Sequence, residues 1–328
     1  MSAQTIFEYH LQQVSTLLEK ATKQKNPALW LYRNNGRTPF FMLEGLAKLH
    51  AGIHNKKKFS KLKEQFKLVE DAIGAIDYYD AFAKSFASNK KMPKNIKAYL
   101  QAQTREKLQS LNELLEEKGW LDGGRLKKTR KKLDEADWLK PVDEVKAIQD
   151  FYGEAIYEIA AFVQTDSFHF DNVEADVHEL RRKLRWLSIY PQALRGLVQL
   201  DTSRDAPKNI KKYLTKEVTT SPFNVMPDAG DNRYFLLLDR NYFYALSWII
   251  AELGKLKDSG LGIIAIREAL QQQGTVDDKK AYAEARKMLG AKQPSIESIL
   301  TSSAGICKTF FEDHVLEYLV LGTAGMKE

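Results

Sequence analysis

His178-Glu179-Leu180-Arg181-Arg182-Lys183-Leu184-Arg185 is the stretch on which the reading of this chain turns. At about 100° per residue on an α-helix, His178, Arg181, Arg182 and Arg185 stand at i, i+3, i+4 and i+7 and share one face. Val177, Leu180, Leu184 and Leu187 take the opposite face, where they can pack on a core. One side of one helix therefore carries an imidazole and three guanidiniums. Like charges placed so closely repel unless anions neutralise them. Those anions are either the protein's own carboxylates or the phosphates of a ligand.

The same periodicity runs outward in both directions. Apolar residues recur at i, i+3, i+4 over Glu8 to Lys23, Phe41 to Ile53, Phe59 to Phe86, Ile96 to Leu115 and Val142 to Phe162. The second half repeats it over Val173 to Leu200, Ile210 to Val218, Tyr234 to Leu256, Gly262 to Gln273, Asp277 to Leu289 and Ser295 to Tyr318. No stretch alternates with period two for long enough to predict a sheet, and the prolines fall mostly in polar breaks. An all-α fold follows. With 328 residues, 44% of them apolar, the chain is long enough for two domains. The polar-aromatic link Asp166 to Asn172 divides it into an expected bundle over 1–165 and a second over 166–328 that carries the His-Arg helix.

Charge is spread unevenly. The net charge is +7, yet residues 21–132 carry a net +14 and residues 133–180 a net −11. Lys56, Lys57, Lys58, Lys61, Lys63 and Lys67 form one basic run. Arg125, Lys127, Lys128, Arg130, Lys131 and Lys132 form another, in which Arg125, Lys128 and Lys132 share a helical face. Lys208, Lys211 and Lys212 make a third, smaller group. Such runs either line a path for a polyanion or form a solvated helix surface. The aromatics are spaced as helix core, as in Tyr78, Phe82 and Phe86, so nucleic acid is not the expected partner. The single cysteine, Cys307, excludes an intramolecular disulfide and reads as buried and inert. The opening residues lack the pattern of a signal peptide, and no apolar run reaches bilayer length, so a cytoplasmic protein without a membrane partner is expected.

Two internal echoes stand out. Pro207 to Leu214 repeats Pro93 to Leu100 as Pro-Lys-Asn-Ile-Lys-x-Tyr-Leu, and both copies read as helix starts. Ile73-Gly74-Ala75-Ile76-Asp77 resembles Leu253-Gly254-Lys255-Leu256-Lys257-Asp258: a helix reaches a glycine, and an aspartate follows. The glycine would allow close packing, and the aspartate would cap a helix or pair with a base.

These residues resemble the conserved histidine α-helical domain (CHAD) family. That family carries a histidine followed by basic residues, matched here by His178, Arg181, Arg182 and Arg185. It also carries a leucine-glycine turn followed by aspartate, matched by Leu253-Gly254 and Asp258 and more loosely by Ile73-Gly74 and Asp77. The resemblance covers the second half better than the first. Where the first bundle would carry its own histidine helix, over Leu31 to Leu49, there is no such motif, and Arg33 and Arg37 are the basic pair that remains. The resemblance implies two four-helix bundles related by an approximate two-fold axis, with a basic cavity between them that binds inorganic polyphosphate. On that expectation the protein is not an enzyme and needs no cofactor. His178, Arg181, Arg182 and Arg185 face Arg33 and Arg37, while Lys128, Lys132, Lys208, Lys211 and Lys212 supply further contacts. The alternative is a scaffold or protein-interaction module that keeps the fold without the ligand. It predicts that the arginines are paired internally.

Other patterns carry less. His50 and His54 at i, i+4 can share a metal, but no third ligand is spaced to complete a site. Gly260-Leu261-Gly262-Ile263-Ile264-Ala265 matches a dinucleotide fingerprint but follows a helix and not a strand, and it reads as a helix that breaks and restarts.

Overall fold

The computed structural model describes residues 2–164, 168–272, 274, 277–290 and 293–325. Its elements in chain order are α1 (Ala3–Ala21), α2 (Pro27–Arg33), α3 (Arg37–Ile53), α4 (Lys56–Ala87), α5 (Lys94–Glu117), α6 (Gly124–Asp134), α7 (Pro141–Gln164), α8 (Glu179–Ala193), β1 (Val198–Asp201), α9 (Lys216–Thr219), β2 (Tyr234–Asp239), α10 (Arg240–Gln272), α11 (Asp278–Leu289), α12 (Ile296–Glu312) and β3 (Val320–Gly325). Helices dominate, as the periodicity predicts. The division placed between residues 165 and 166 falls outside the described residues. One buried apolar cluster takes in residues of both segments, from Ile6, Phe7 and Leu11 on α1 to Leu246 and Ile249 on α10 and Phe310 on α12. A smaller one gathers Phe86, Ile96, Leu100, Ile266 and Ala269.

Local chemistry explains the element ends. The Ser2 hydroxyl accepts the Thr5 amide at the start of α1, and the Asn26 side chain accepts the Leu29 amide at the start of α2, where Pro27 needs no hydrogen-bond partner. The left-handed turn at Asn55 folds α4 back along α3. A π-helical turn at Val173–His178 feeds α8, with the Asn172 side chain accepting the Glu174 and Ala175 amides.

Three findings depart from the sequence reading. The first is a small sheet in the order β1-β2-β3, with β1 parallel to β2 and β2 antiparallel to β3. Leu236 and Leu238 of β2 are buried in the core. Their run was absorbed into a helical pattern because β2 passes into α10 with no intervening loop. The Asp239 carboxylate makes that junction by accepting the Asn241 amide at 2.8 Å. The second is that α10 runs unbroken through Gly254, Gly260 and Gly262, so the expected break and the leucine-glycine turn are both helix interior. Gly260 serves packing instead, since a Cβ there would meet Val173 at 3.0 Å. The third concerns the repeated octapeptide. Its first copy opens α5, but its second forms only a 3-10 turn at Lys211–Tyr213. The Tyr213 hydroxyl is drawn to the Asp313 carboxylate at 2.5 Å, which fixes that turn against the end of α12. Among the described residues, no helix is long and apolar enough to cross a membrane.

Candidate anion-binding site

α8 presents the two faces that its spacing predicts. Val177, Leu180, Leu184 and Leu187 are fully buried, and each apolar side chain so buried contributes about 1.5–3 kcal/mol to holding the helix in place. The opposite face meets α3 and α10. There the four basic residues have unlike surroundings.

His178 and Arg182 are satisfied locally. The His178 Nδ1 lies 2.9 Å from the Glu174 carboxylate one turn earlier, and this hydrogen bond holds Glu174 below the usual carboxylate range. The Arg182 Nη2 is 2.7 Å from Glu179. Arg181 turns inward. Its Nε donates to the Ile250 carbonyl of α10 at 3.0 Å, and its guanidinium lies flat on Gly254, where a Cβ would be 3.0 Å from Nε. Burial lowers its pKa, and the field of Asp258 opposes that shift.

Arg185 differs from all three. Its guanidinium lies over the Phe41 ring of α3, 4.8 Å from the centroid, and among the described residues no carboxylate is bonded to it. Burial, then the charges of Arg181 and Arg37, push its pKa down to about 10, with Glu70 the one opposing carboxylate. The guanidinium is thus charged at neutral pH, half-buried and short of negative partners.

Arg37 comes to this group from α3. Its Nε donates to Glu70 of α4 at 2.6 Å, and its Nη1 stands 3.8 Å from Asp77. The guanidinium covers Gly74 as Arg181 covers Gly254. The two copies of the glycine-aspartate echo therefore perform one job: each helical glycine lets an arginine from a neighbouring helix lie against its backbone. Three guanidiniums, Arg37, Arg181 and Arg185, are brought together from segments that lie far apart in sequence.

The remaining expected residues lie elsewhere. Arg33 ends α2 while Arg37 begins α3, so the two do not form an i, i+4 pair on one helix. Arg33 is exposed, near Asp80, on a surface it shares with Gln24, Lys25 and Trp30. Lys128 and Lys132 are on α6. The charges of Arg125 and Lys61 join burial in lowering the Lys132 pKa, so the two basic runs of the first half meet each other. Lys61 precedes Glu70 by nine residues on α4, about 14 Å of axial rise and roughly half a turn out of phase. That end of the run faces away from the Arg37 group, whereas Lys67 at its other end lies close enough for its charge to act on Glu44 and Glu70. Lys208 and Lys211 are exposed beside the Lys211–Tyr213 turn, and Lys212 is paired with Asp313 at 2.7 Å.

Sequence reasoning missed Phe41, Glu44, Lys48 and Glu70. Arg37, Phe41, Glu44 and Lys48 stand at i, i+4, i+7 and i+11, a spacing that puts them on one face of α3. That face packs on α8, where Phe41 meets Trp186 at 4.7 Å between ring centroids. His50 is not placed to bind a metal, because its Nδ1 faces the Leu46 carbonyl at 2.8 Å and its Nε2 the Glu144 carboxylate at 3.2 Å. Among the described residues, no cluster of metal-ligating side chains forms. Cys307 is buried, and burial pushes its thiol up to about 12. No protein-family model matches the sequence, and neither the curated proteins nor the solved structures searched contain a match.

Proposed function

We propose that this protein binds an extended phosphate anion, with inorganic polyphosphate as the reference ligand, at Arg37, Arg181 and Arg185. The observation that carries the reading is the grouping of three guanidiniums of which Arg37 alone contacts carboxylates, Glu70 at 2.6 Å and Asp77 at 3.8 Å, while Arg185 is bonded to none among the described residues. Guanidinium suits phosphate because its planar fork meets two oxygens at once. It also does not exchange protons at neutral pH, which fits a site that holds its ligand without catalysis. Cytoplasmic residence accords with the single buried thiol.

The test is polyphosphate binding at low and high salt by the wild type and by an Arg181→Ala/Arg185→Ala variant. Each lost charge-assisted contact is worth about 1.5–3 kcal/mol, so the double variant should bind at least about tenfold more weakly. The wild type's affinity should also fall steeply with added salt. Equal binding by both proteins, or none by either at low salt, would remove the proposal.

A second reading has its own support. His178 and Arg182 are already paired with Glu174 and Glu179, as a helical scaffold without a ligand would require. On that reading the arginines serve packing, and the double variant would lose stability with no polyphosphate affinity to lose.

A further inference from the structure

A separate cleft lies between α3, α7 and α8, lined by Lys48, Phe151, Glu154, Glu158, Lys183 and Trp186, with Tyr190 behind. Its walls are built with some care. Gly45 and Gly52 stand seven residues apart on α3, so they share a face. The Trp186 ring of α8 sits 3.0 Å from where a Cβ on Gly45 would be, and the Phe151 ring of α7 sits 2.7 Å from that of Gly52. Two bare backbone positions thus seat two aromatic side chains, and Lys48 rises from α3 between them. Trp186 and Tyr190 stack at 5.8 Å and are 6% and 1% exposed, so the apolar wall is rigid.

The charges of the cleft do not meet. The Lys48 ammonium stands over the Trp186 ring at 5.0 Å and has no carboxylate bonded to it among the described residues. Lys183 reaches Glu179 only at 3.9 Å. Glu154 and Glu158, one turn apart on α7, are exposed and carry no ion pair among the described residues. Burial, then Arg182 and Lys183, lower the Lys48 pKa to about 8, while Glu44 and Glu158 act the other way from a distance. Opposite charges held apart across an apolar gap call for a small molecule that carries both signs.

We propose that this cleft binds a free α-amino acid with an apolar side chain, its carboxylate toward Lys48 and Lys183, its ammonium toward Glu154 and Glu158, and its side chain against Phe151, Trp186 and Tyr190. The volume of about 160 Å³ lies below the roughly 300 Å³ at which drug-sized ligands begin, so the occupant is small. Cations on one wall and carboxylates on the other fix the ligand's direction. The site shares no contact residue with the Arg37, Arg181 and Arg185 group, so neither proposal depends on the other.

The experiment is titration calorimetry of the full chain with L-leucine and L-phenylalanine. N-acetyl-leucine, which lacks the cation, and leucinamide, which lacks the anion, serve as controls. Free amino acids should bind saturably with a Kd below about 1 mM. Removing either charge from the ligand, or introducing Lys48→Met or Glu158→Gln, should weaken binding by at least about tenfold. At pH 8 the bound carboxylate should draw a proton onto Lys48, so the measured heat should vary with the ionisation enthalpy of the buffer. No saturable heat with the wild type overturns the proposal. So does equal binding of the capped ligands, or wild-type affinity in both variants. Glu158 is exposed, so Glu158→Gln keeps the test open should Lys48→Met fail to fold.

Discussion

The guanidinium of Arg37 occupies the space that a side chain on Gly74 would need, its Nη2 2.7 Å from where the Cβ would stand. Arg181 does the same at Gly254, at 3.0 Å from Nε. Both glycines are helix interior, where glycine costs about 1 kcal/mol relative to alanine. In each case the obstructing atom is the end of a flexible side chain. Gly254→Ala should therefore change stability by no more than about 1 kcal/mol, the helix preference of alanine offsetting the loss of the Arg181 hydrogen bond to the Ile250 carbonyl, while it displaces Arg181 and lowers polyphosphate affinity several-fold. Chemical denaturation and a binding isotherm on the same preparation separate the two effects. Unchanged affinity would show that the position of Arg181 does not matter to binding.

Gly45 and Gly52 predict the opposite balance. The atoms in the way are the rings of Trp186 and Phe151, at 3.0 and 2.7 Å, and both rings are held by their packing on Tyr190 and, for Trp186, on Phe41. Forcing a methyl into such a site costs about 1–3 kcal/mol, more than the helix preference of alanine returns. Gly45→Ala and Gly52→Ala should each lower the urea midpoint at unchanged slope. A variant as stable as wild type would show that α3 and α8 can separate there without loss.

Two buried groups predict a concealed pH dependence. His10 is 3% exposed, its Nε2 is bonded to the Ala193 carbonyl, and burial lowers its pKa to about 4. A depressed histidine stabilises the fold above its unfolded value of 6.5, and that contribution is lost as pH falls toward 4. Glu44 is 6% exposed, and burial, followed by the charge of Glu70, raises its pKa to about 7. A raised carboxyl contributes its stability below 4.5 and loses it as pH rises through 7. Each change is about 3 kcal/mol, opposite in sign and nearly coincident in range, so the two nearly cancel in the wild type. Glu44→Gln should expose the histidine, giving a protein that gains stability from pH 4 to 6.5. His10→Asn should expose the carboxyl, giving one that loses stability from pH 4.5 to 7. Parallel curves for the two variants would refute this account.

Much of this arrangement is legible in the sequence, and the illegible parts have physical reasons. The two faces of α8 follow from spacing alone, because Val177, Leu180, Leu184 and Leu187 fix which side is buried. The strands escape because Phe235 to Leu238 is a short apolar run with a helical pattern directly behind it, and periodicity cannot divide the two. The partnership of Arg185 with Phe41 and Arg37 depends on which face of α3 meets α8. Gly45 decides that, and a lone glycine within a helical pattern carries no signal of what packs on it. The glycine-aspartate echo is visible in the letters, but its meaning as a seat for an arginine appears only once the helices are side by side.

His50 and Glu144 form the most buried ion pair of the described residues, 1% and 5% exposed at their side chains. Both ring nitrogens of His50 face acceptors, the Leu46 carbonyl and the Glu144 carboxylate, and a neutral imidazole has only one N–H to offer. Glu144→Ala would leave His50 to fill a vacated polar site among Phe7, Phe59 and Trp138. Breaking such a pair costs about 3–5 kcal/mol. Glu144→Gln is gentler: the ring keeps its Nδ1 hydrogen on Leu46, and Nε2 accepts from the new amide. Urea denaturation should rank the alanine variant as the less stable by at least about 1 kcal/mol. Equal losses would show that the hydrogen bond does not contribute, and that the pair holds α3 to α7 by shape alone.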